Sequence, residues 1–105
     1  MPIGKNMPVI YEYLGVIFKF FSNEHEPIHI HAVYQGTILK IEFFIKNGKV
    51  YKVVFRQEKG TFPPAKIKEV EKFIRSYKEE IICRWDEYFI WKKKVTKKTI
   101  TKRLK

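Results

Sequence analysis

Short runs of alternating apolar and polar residues, separated by glycines, fill the first half of the chain, a pattern typical of β-strands. Aromatic and β-branched residues lead up to Gly15, and a second run of the same kind follows it. Further runs cover residues 28–34, 38–45 and 49–56. The pattern predicts four to five short strands that tight turns connect into an antiparallel sheet.

The segment 46–48, Lys-Asn-Gly, connects the last two runs and can be placed in two registers. A two-residue Asn-Gly turn pairs Ile45 with Val50 and mixes a lysine into the apolar face. A three-residue loop with Gly48 in the left-handed conformation instead pairs Ile45 with Lys49 and separates the two faces better. We therefore expect the three-residue loop. The resulting apolar face consists of Leu39, Ile41, Phe43, Tyr51, Val53 and Phe55.

A helical period follows Pro63 and Pro64, and proline suits the first turn of a helix. Apolar residues then recur at spacings of three and four, at Ile67, Val70, Ile74, Tyr77, Ile81, Trp85 and Tyr88. This stripe predicts a helix over about residues 64–91 that covers the apolar face of the sheet. The fold class is therefore α+β, an antiparallel sheet of four to five strands with one long C-terminal helix packed on one face.

Charge is concentrated at the end of the chain. The formal net charge is +11, and residues 92–105 contain eight lysines and arginines but no acid. Such a tail attracts polyanions such as RNA, DNA or anionic lipid, or else remains a solvated tail. We therefore divide the chain into a leader at 1–6, a single domain at 7–91 and a basic tail at 92–105. The candidate nucleic-acid contacts are Lys92, Lys93, Lys94, Lys97, Lys98, Lys102 and Arg103.

Several classes of protein are excluded by composition. The single cysteine, Cys83, rules out a disulfide framework and a zinc site built from cysteines. No apolar run reaches the length of a transmembrane segment, and the apolar stretch near the N-terminus is interrupted by charges. We therefore expect a cytosolic protein of about one domain.

All three histidines lie within seven residues, at His25, His29 and His31. Because side chains alternate along a strand, His29 and His31 are expected on the same face. His25 would lie in the preceding turn, with Glu24 beside it. The three imidazoles could therefore converge on one site.

Three interpretations of this cluster stay open. His25, His29 and His31 could bind Zn or another divalent metal ion. With Glu24, they could instead perform acid–base catalysis on RNA, deprotonating a ribose 2′-hydroxyl and protonating a leaving oxygen. A cation from Lys40, Lys52 or Arg56 would then stabilise the developing charge. In the third interpretation the imidazoles are structural or contribute to a partner interface.

The string from Asn23 to His31, preceded by Met7-Pro8 and an aromatic strand, resembles the bacterial Domain of Unknown Function 4160 family. The usual pattern of that family is Met-Pro, an aromatic strand and then Asn-(Asp/Glu)-His-x-Pro-x-His-x-His. Here Ile28 stands where a second proline is common, and the lysine-rich tail is not part of the pattern. The matching motif residues are Asn23, Glu24, His25, Pro27, His29 and His31.

Members of that family are suspected components of toxin–antitoxin pairs, so the resemblance implies a small cognate protein partner. We therefore expect a small toxin–antitoxin-type protein that acts on RNA through the histidine cluster. The alternatives are a non-catalytic module that binds a partner protein or nucleic acid, and a metal-dependent hydrolase. A dimer would form through the first strand if that strand were an exposed edge.

Overall fold

The structure, a computed structural model, describes residues 8–20 and 28–104. In chain order the elements are β1 (Val9–Tyr13), β2 (Val16–Phe20), β3 (Ile28–Tyr34), β4 (Thr37–Lys46), β5 (Lys49–Lys59), α1 (Pro64–Phe89) and β6 (Lys98–Ile100). The strands of these residues form one sheet in the order β5-β4-β3-β2-β1-β6. Neighbouring strands are antiparallel except β1 and β6, which are parallel. The α+β prediction is confirmed, with six strands in place of four to five.

Three hairpins share one kind of turn, a two-residue turn with positive φ at both positions. The turns are Leu14-Gly15 (φ 50° and 84°), Gln35-Gly36 (46° and 82°) and Asn47-Gly48 (54° and 78°). These values are typical of type I′ turns, whose twist matches the right-handed twist of the strands that they join. Glycine at the second position removes the steric cost of a positive φ. Each turn therefore places consecutive strands side by side.

The expected three-residue loop before β5 is wrong. The hairpin closes through the two-residue Asn-Gly turn, which pairs Ile45 with Val50, and a bulge then shifts the register so that Phe43 pairs with Val53. The bulge accommodates Tyr51 as an extra residue of β5. The hairpin therefore keeps the favoured two-residue turn, and apolar and polar side chains still lie on opposite faces of the sheet. Tyr51 leaves the predicted apolar face as a result and is 63% exposed.

Packing of α1 on the sheet centres on Phe73, which is fully buried. Its ring stacks on Phe18 at 4.5 Å between centroids and on Tyr77 at 4.6 Å. The rings of Tyr11 and Tyr13 lie 5.2 and 5.3 Å away. The helix begins at the predicted proline and ends two residues before the predicted end. Among the described residues, no helix combines the length and apolar character needed to cross a membrane.

The segment after α1 returns along β1, which the sequence analysis did not predict. Val95, Ile100 and Leu104 pack against the core, and the Leu104 N–H donates to the Tyr13 hydroxyl at 2.8 Å. Ion pairs join Lys97 to Glu12 at 3.0 Å, Lys98 to Glu80 at 3.2 Å and Arg103 to Glu69 at 2.7 Å. Since β6 pairs with β1, the first strand is not an edge, and the edge-to-edge dimer proposed for that strand loses its basis.

We expect Phe73→Ala to lower the free energy of unfolding by about 3–5 kcal/mol, because it removes a buried ring that four aromatic side chains contact. Tyr51→Ala is the matched control, since that ring is mostly exposed and its loss should cost less than about 0.5 kcal/mol. Urea unfolding followed by circular dichroism measures both. Equal losses in the two variants would contradict the packing described here.

Candidate functional site

The two faces of β3 have different chemistry. Ile30 and Ala32 point towards α1 and are fully buried, whereas His29 and His31 alternate onto the opposite face of the sheet. The two imidazole centroids are 5.9 Å apart. Although α1 lies on the other face, His29 is only 8% exposed and His31 only 5%. The structure therefore brings two of the three histidines together in a place that is largely shielded from solvent.

Charged residues of β4 lie directly beside this pair. In the antiparallel register His29 is opposite Glu42 and His31 is opposite Lys40. Glu42 is itself only 7% exposed, and it accepts a 2.7 Å hydrogen bond from Nε of Arg56 on β5. The Lys40 ammonium lies 3.7 Å from the other carboxylate oxygen. A shielded carboxylate held between two cations thus adjoins the imidazole pair.

The electrostatics of the site separate the protonation states of its members. Burial, with repulsion from His29 as the next largest cause, lowers the pKa of His31 from 6.5 to about 4. The hydrogen bond from Arg56 lowers the pKa of the Glu42 carboxyl, against the opposing effect of burial. At neutral pH His31 is therefore a neutral imidazole and Glu42 an anion.

This arrangement provides a neutral imidazole nitrogen that can accept a proton or a metal ion. The predicted ligand set has three imidazoles, but His25 lies outside the described residues, as does Glu24. Across residues 8–20 and 28–104, no group of three His, Cys, Asp or Glu side chains is arranged to hold a metal ion.

The cations predicted near the histidines separate into two groups. Lys40 and Arg56 belong to the site because both form ion pairs with Glu42. Lys52 instead lies over the Phe44 ring, 5.4 Å from its centroid. Of the predicted nucleic-acid contacts, Lys97, Lys98 and Arg103 form the ion pairs with acids given above, while in the described part of the chain Lys92, Lys93, Lys94 and Lys102 form none.

Glu42 is the member of the site that the sequence analysis did not single out. A signal was available, because Glu42 alternates with Ile41 and Phe43 and so belongs to the same face of the predicted sheet as Lys40. What the sequence could not supply was the pairing of Glu42 with His29, which depends on the register between β3 and β4.

Comparison with known proteins places this chain in a family. The family described as Domain of unknown function (DUF4160) matches residues 15–86, more than half of the sequence. The chain belongs to this family, as the resemblance in the sequence predicted. The match includes His29, His31 and Glu42 but ends before β6 and the lysine-rich segment. No curated protein and no solved structure matches the chain.

The lowered pKa of His31 predicts a loss of stability in mild acid. The folded-state pKa lies below the unfolded value, so the unfolded chain binds an additional proton as the pH falls through 6.5. This stabilisation is complete above pH 6.5 and disappears as the pH approaches 4. Between about pH 7.5 and 5.5, His31 alone should lower the free energy of unfolding by about 1.4 kcal/mol.

Urea unfolding of the wild type and of His31→Gln at both pH values measures this contribution. The glutamine variant retains a polar side chain without a titration in this range, so its stability should decline less by about 1.4 kcal/mol. Parallel declines in the two proteins would show that His31 has an ordinary pKa.

Proposed function

We propose that this protein is a component of a bacterial toxin–antitoxin pair that acts on RNA in the cytoplasm, with His29 and His31 as its acid–base pair. The observation that carries the proposal is the pair of adjacent imidazoles, one of which, His31, is kept neutral at neutral pH by burial. A neutral imidazole can act as a general base, and a second imidazole beside it can act as the acid. Membership of the family supports the toxin–antitoxin context through the resemblance described above, which implies a small cognate partner.

The roles of the two imidazoles follow from their neighbours. Neutral His31 accepts the proton of a ribose 2′-hydroxyl as the 2′-oxygen attacks the adjacent phosphorus. In the proposed step His29, which is opposite Glu42 in the register, acts as the acid and delivers a proton to the departing 5′-oxygen. One O–P bond forms and one breaks, so the products are a 2′,3′-cyclic phosphate and a free 5′-hydroxyl.

Charge that develops on the phosphate requires a cation. The Arg56 side chain is 60% exposed although its Nε is bonded to Glu42, so the rest of its guanidinium group is available to an incoming phosphate. Lys40 lies on the same face and is a second candidate. Both cations can act electrostatically without taking part in proton transfer.

The test is cleavage of a defined RNA by the purified protein, with and without EDTA, beside His29→Gln and His31→Gln. We expect cleavage that resists EDTA, yields 2′,3′-cyclic phosphate ends and falls by about 10²–10⁴-fold in each variant. Lys52→Ala, which removes a cation from the same face that lies over the Phe44 ring, is the control and should lose far less. Circular dichroism confirms that each variant is folded.

Two results would contradict the acid–base proposal. If EDTA abolishes cleavage, the histidines are better explained as metal ligands. That result would favour a metal-dependent hydrolase, with His25 as a further ligand. Absence of cleavage by folded wild-type protein would remove the nuclease activity altogether.

A second candidate function is a non-catalytic module that binds a partner protein or nucleic acid. The near-complete burial of both imidazoles favours it, because buried histidines commonly serve the structure rather than a substrate. In that case the glutamine variants lose stability or partner affinity, and there is no turnover to lose.

A further inference from the structure

The cations in the segment that follows α1 fall into two groups, those that form ion pairs with the fold and those that do not. Lys97, Lys98 and Arg103 are bound to carboxylates of β1 and α1, so they attach this segment to the fold. Residues 92–94 are three consecutive exposed lysines that form no ion pair within the described residues. Their charge is therefore available to a ligand.

An exposed aromatic ring lies directly before these lysines. Trp91 is 68% exposed, whereas the other tryptophan, Trp85, is 8% exposed in the core. We call Trp91 and residues 92–94 the Trp-Lys cluster. Trp91 therefore presents a large aromatic face to solvent directly beside three exposed cations.

The backbone of the Trp-Lys cluster is fixed by the end of the helix. The Trp91 N–H donates to the Asp86 carbonyl at 3.0 Å, and the Lys93 N–H donates to the Glu87 carbonyl at 2.8 Å. Lys92 between them has a φ of 58°, a left-handed conformation that usually favours glycine at a helix end. The indole is thus presented from an anchored turn.

This cluster lies at the end of the sheet where β3 begins. The rings of Tyr88 and Phe89, in the last turn of α1, lie 5.6 and 5.4 Å from Phe20 at the end of β2. Phe20 in turn pairs with Ile30, the residue between His29 and His31.

Carboxylates complete the surroundings of the indole. Asp86 and Glu87 line an open cleft together with Cys83, Trp91 and Lys93. Carboxylate oxygens accept hydrogen bonds from the amino groups of nucleic-acid bases, and cations bind phosphates. A membrane surface offers anionic charge but no base edge for these acids. Ile90, beside Trp91, is also exposed, at 58%. The combination favours single-stranded RNA.

We infer that the Trp-Lys cluster binds single-stranded RNA, with a base stacked on the Trp91 indole and the flanking phosphates on residues 92–94. The choice of RNA as ligand rests on the proposed function, but the site itself does not involve the histidines. Stacking of a base on an aromatic ring is tolerant of sequence, so the site provides affinity rather than sequence discrimination.

The test is binding of a fluorescein-labelled 12-nucleotide RNA made of C and A, measured by fluorescence anisotropy. The RNA is 2′-O-methylated, which removes the nucleophile of the proposed cleavage. Trp91→Ala should raise the Kd by about 5- to 150-fold, the range expected for loss of one stacked base. Trp91→Phe, which keeps an aromatic face, should recover part of the affinity.

The lysines are tested through the salt dependence of the same binding. Replacing all three residues 92–94 by alanine should reduce the slope of log K against log salt by about 2, since each phosphate contact on a single strand contributes about 0.7. Lys97→Ala with Lys98→Ala is the matched control, because those cations are bound to Glu12 and Glu80. The control should change the slope less.

Three outcomes would overturn the inference. Wild-type affinity of Trp91→Ala would show that no base stacks there. An equal slope change in the control would show that the lysines act only through net charge. Binding to phosphatidylserine vesicles, with a blue shift of Trp91 emission and no RNA binding, would make the cluster a membrane contact.

The binding test separates this inference from the proposed catalysis. The double variant His29→Gln/His31→Gln should bind the RNA with wild-type affinity. If cleavage fails while Trp91-dependent binding persists, the cluster stands and the acid–base proposal falls. If cleavage is found but Trp91→Ala binds the RNA normally, the acid–base proposal stands and the binding site at the Trp-Lys cluster falls.

Discussion

The contact between α1 and the sheet decides what every strand residue can do. Phe73 packs among rings contributed by β1, β2 and the helix itself, and this cluster fixes which side of each strand is the inner one. Because side chains alternate, the residues between the inner ones must face away from the helix. The position of His29 and His31 thus follows from the packing of Ile30 and its neighbours. The chemistry on one face is a consequence of hydrophobic burial on the other.

The outer face shows how a protein keeps polar groups in a shielded place. Removing a charge from water is costly unless a partner compensates for it, and Glu42 has that partner in Arg56 at 2.7 Å. His31 meets the same constraint by remaining neutral. Such an ion pair is weak evidence for stability, but it holds its members in a defined geometry. Here it fixes an anion opposite His29, while burial keeps His31 neutral.

Much of the fold could be predicted because it depends on local patterns. The spacing from Ile67 to Tyr88 predicted the helix, and alternation predicted the shared face of His29 and His31. The register at the β4–β5 hairpin could not be predicted, because a bulge changes the pairing without changing the pattern of apolar residues. The segment with β6 was interpreted as a tail because its lysines have their carboxylate partners far away in sequence. Glu42 was not singled out for the same reason, since its role depends on pairing between strands.

A direct test of the central claim, that His31 on the outer face is a neutral imidazole at neutral pH, is an NMR titration of the histidine ring protons in the folded protein. His31→Gln assigns the resonance by its disappearance. The His31 resonance should stay at its neutral position from pH 8 down to about 5.5 and titrate with a midpoint near 4. A midpoint near 6.5, the ordinary value for histidine, would contradict the claim and with it the role of His31 as the base.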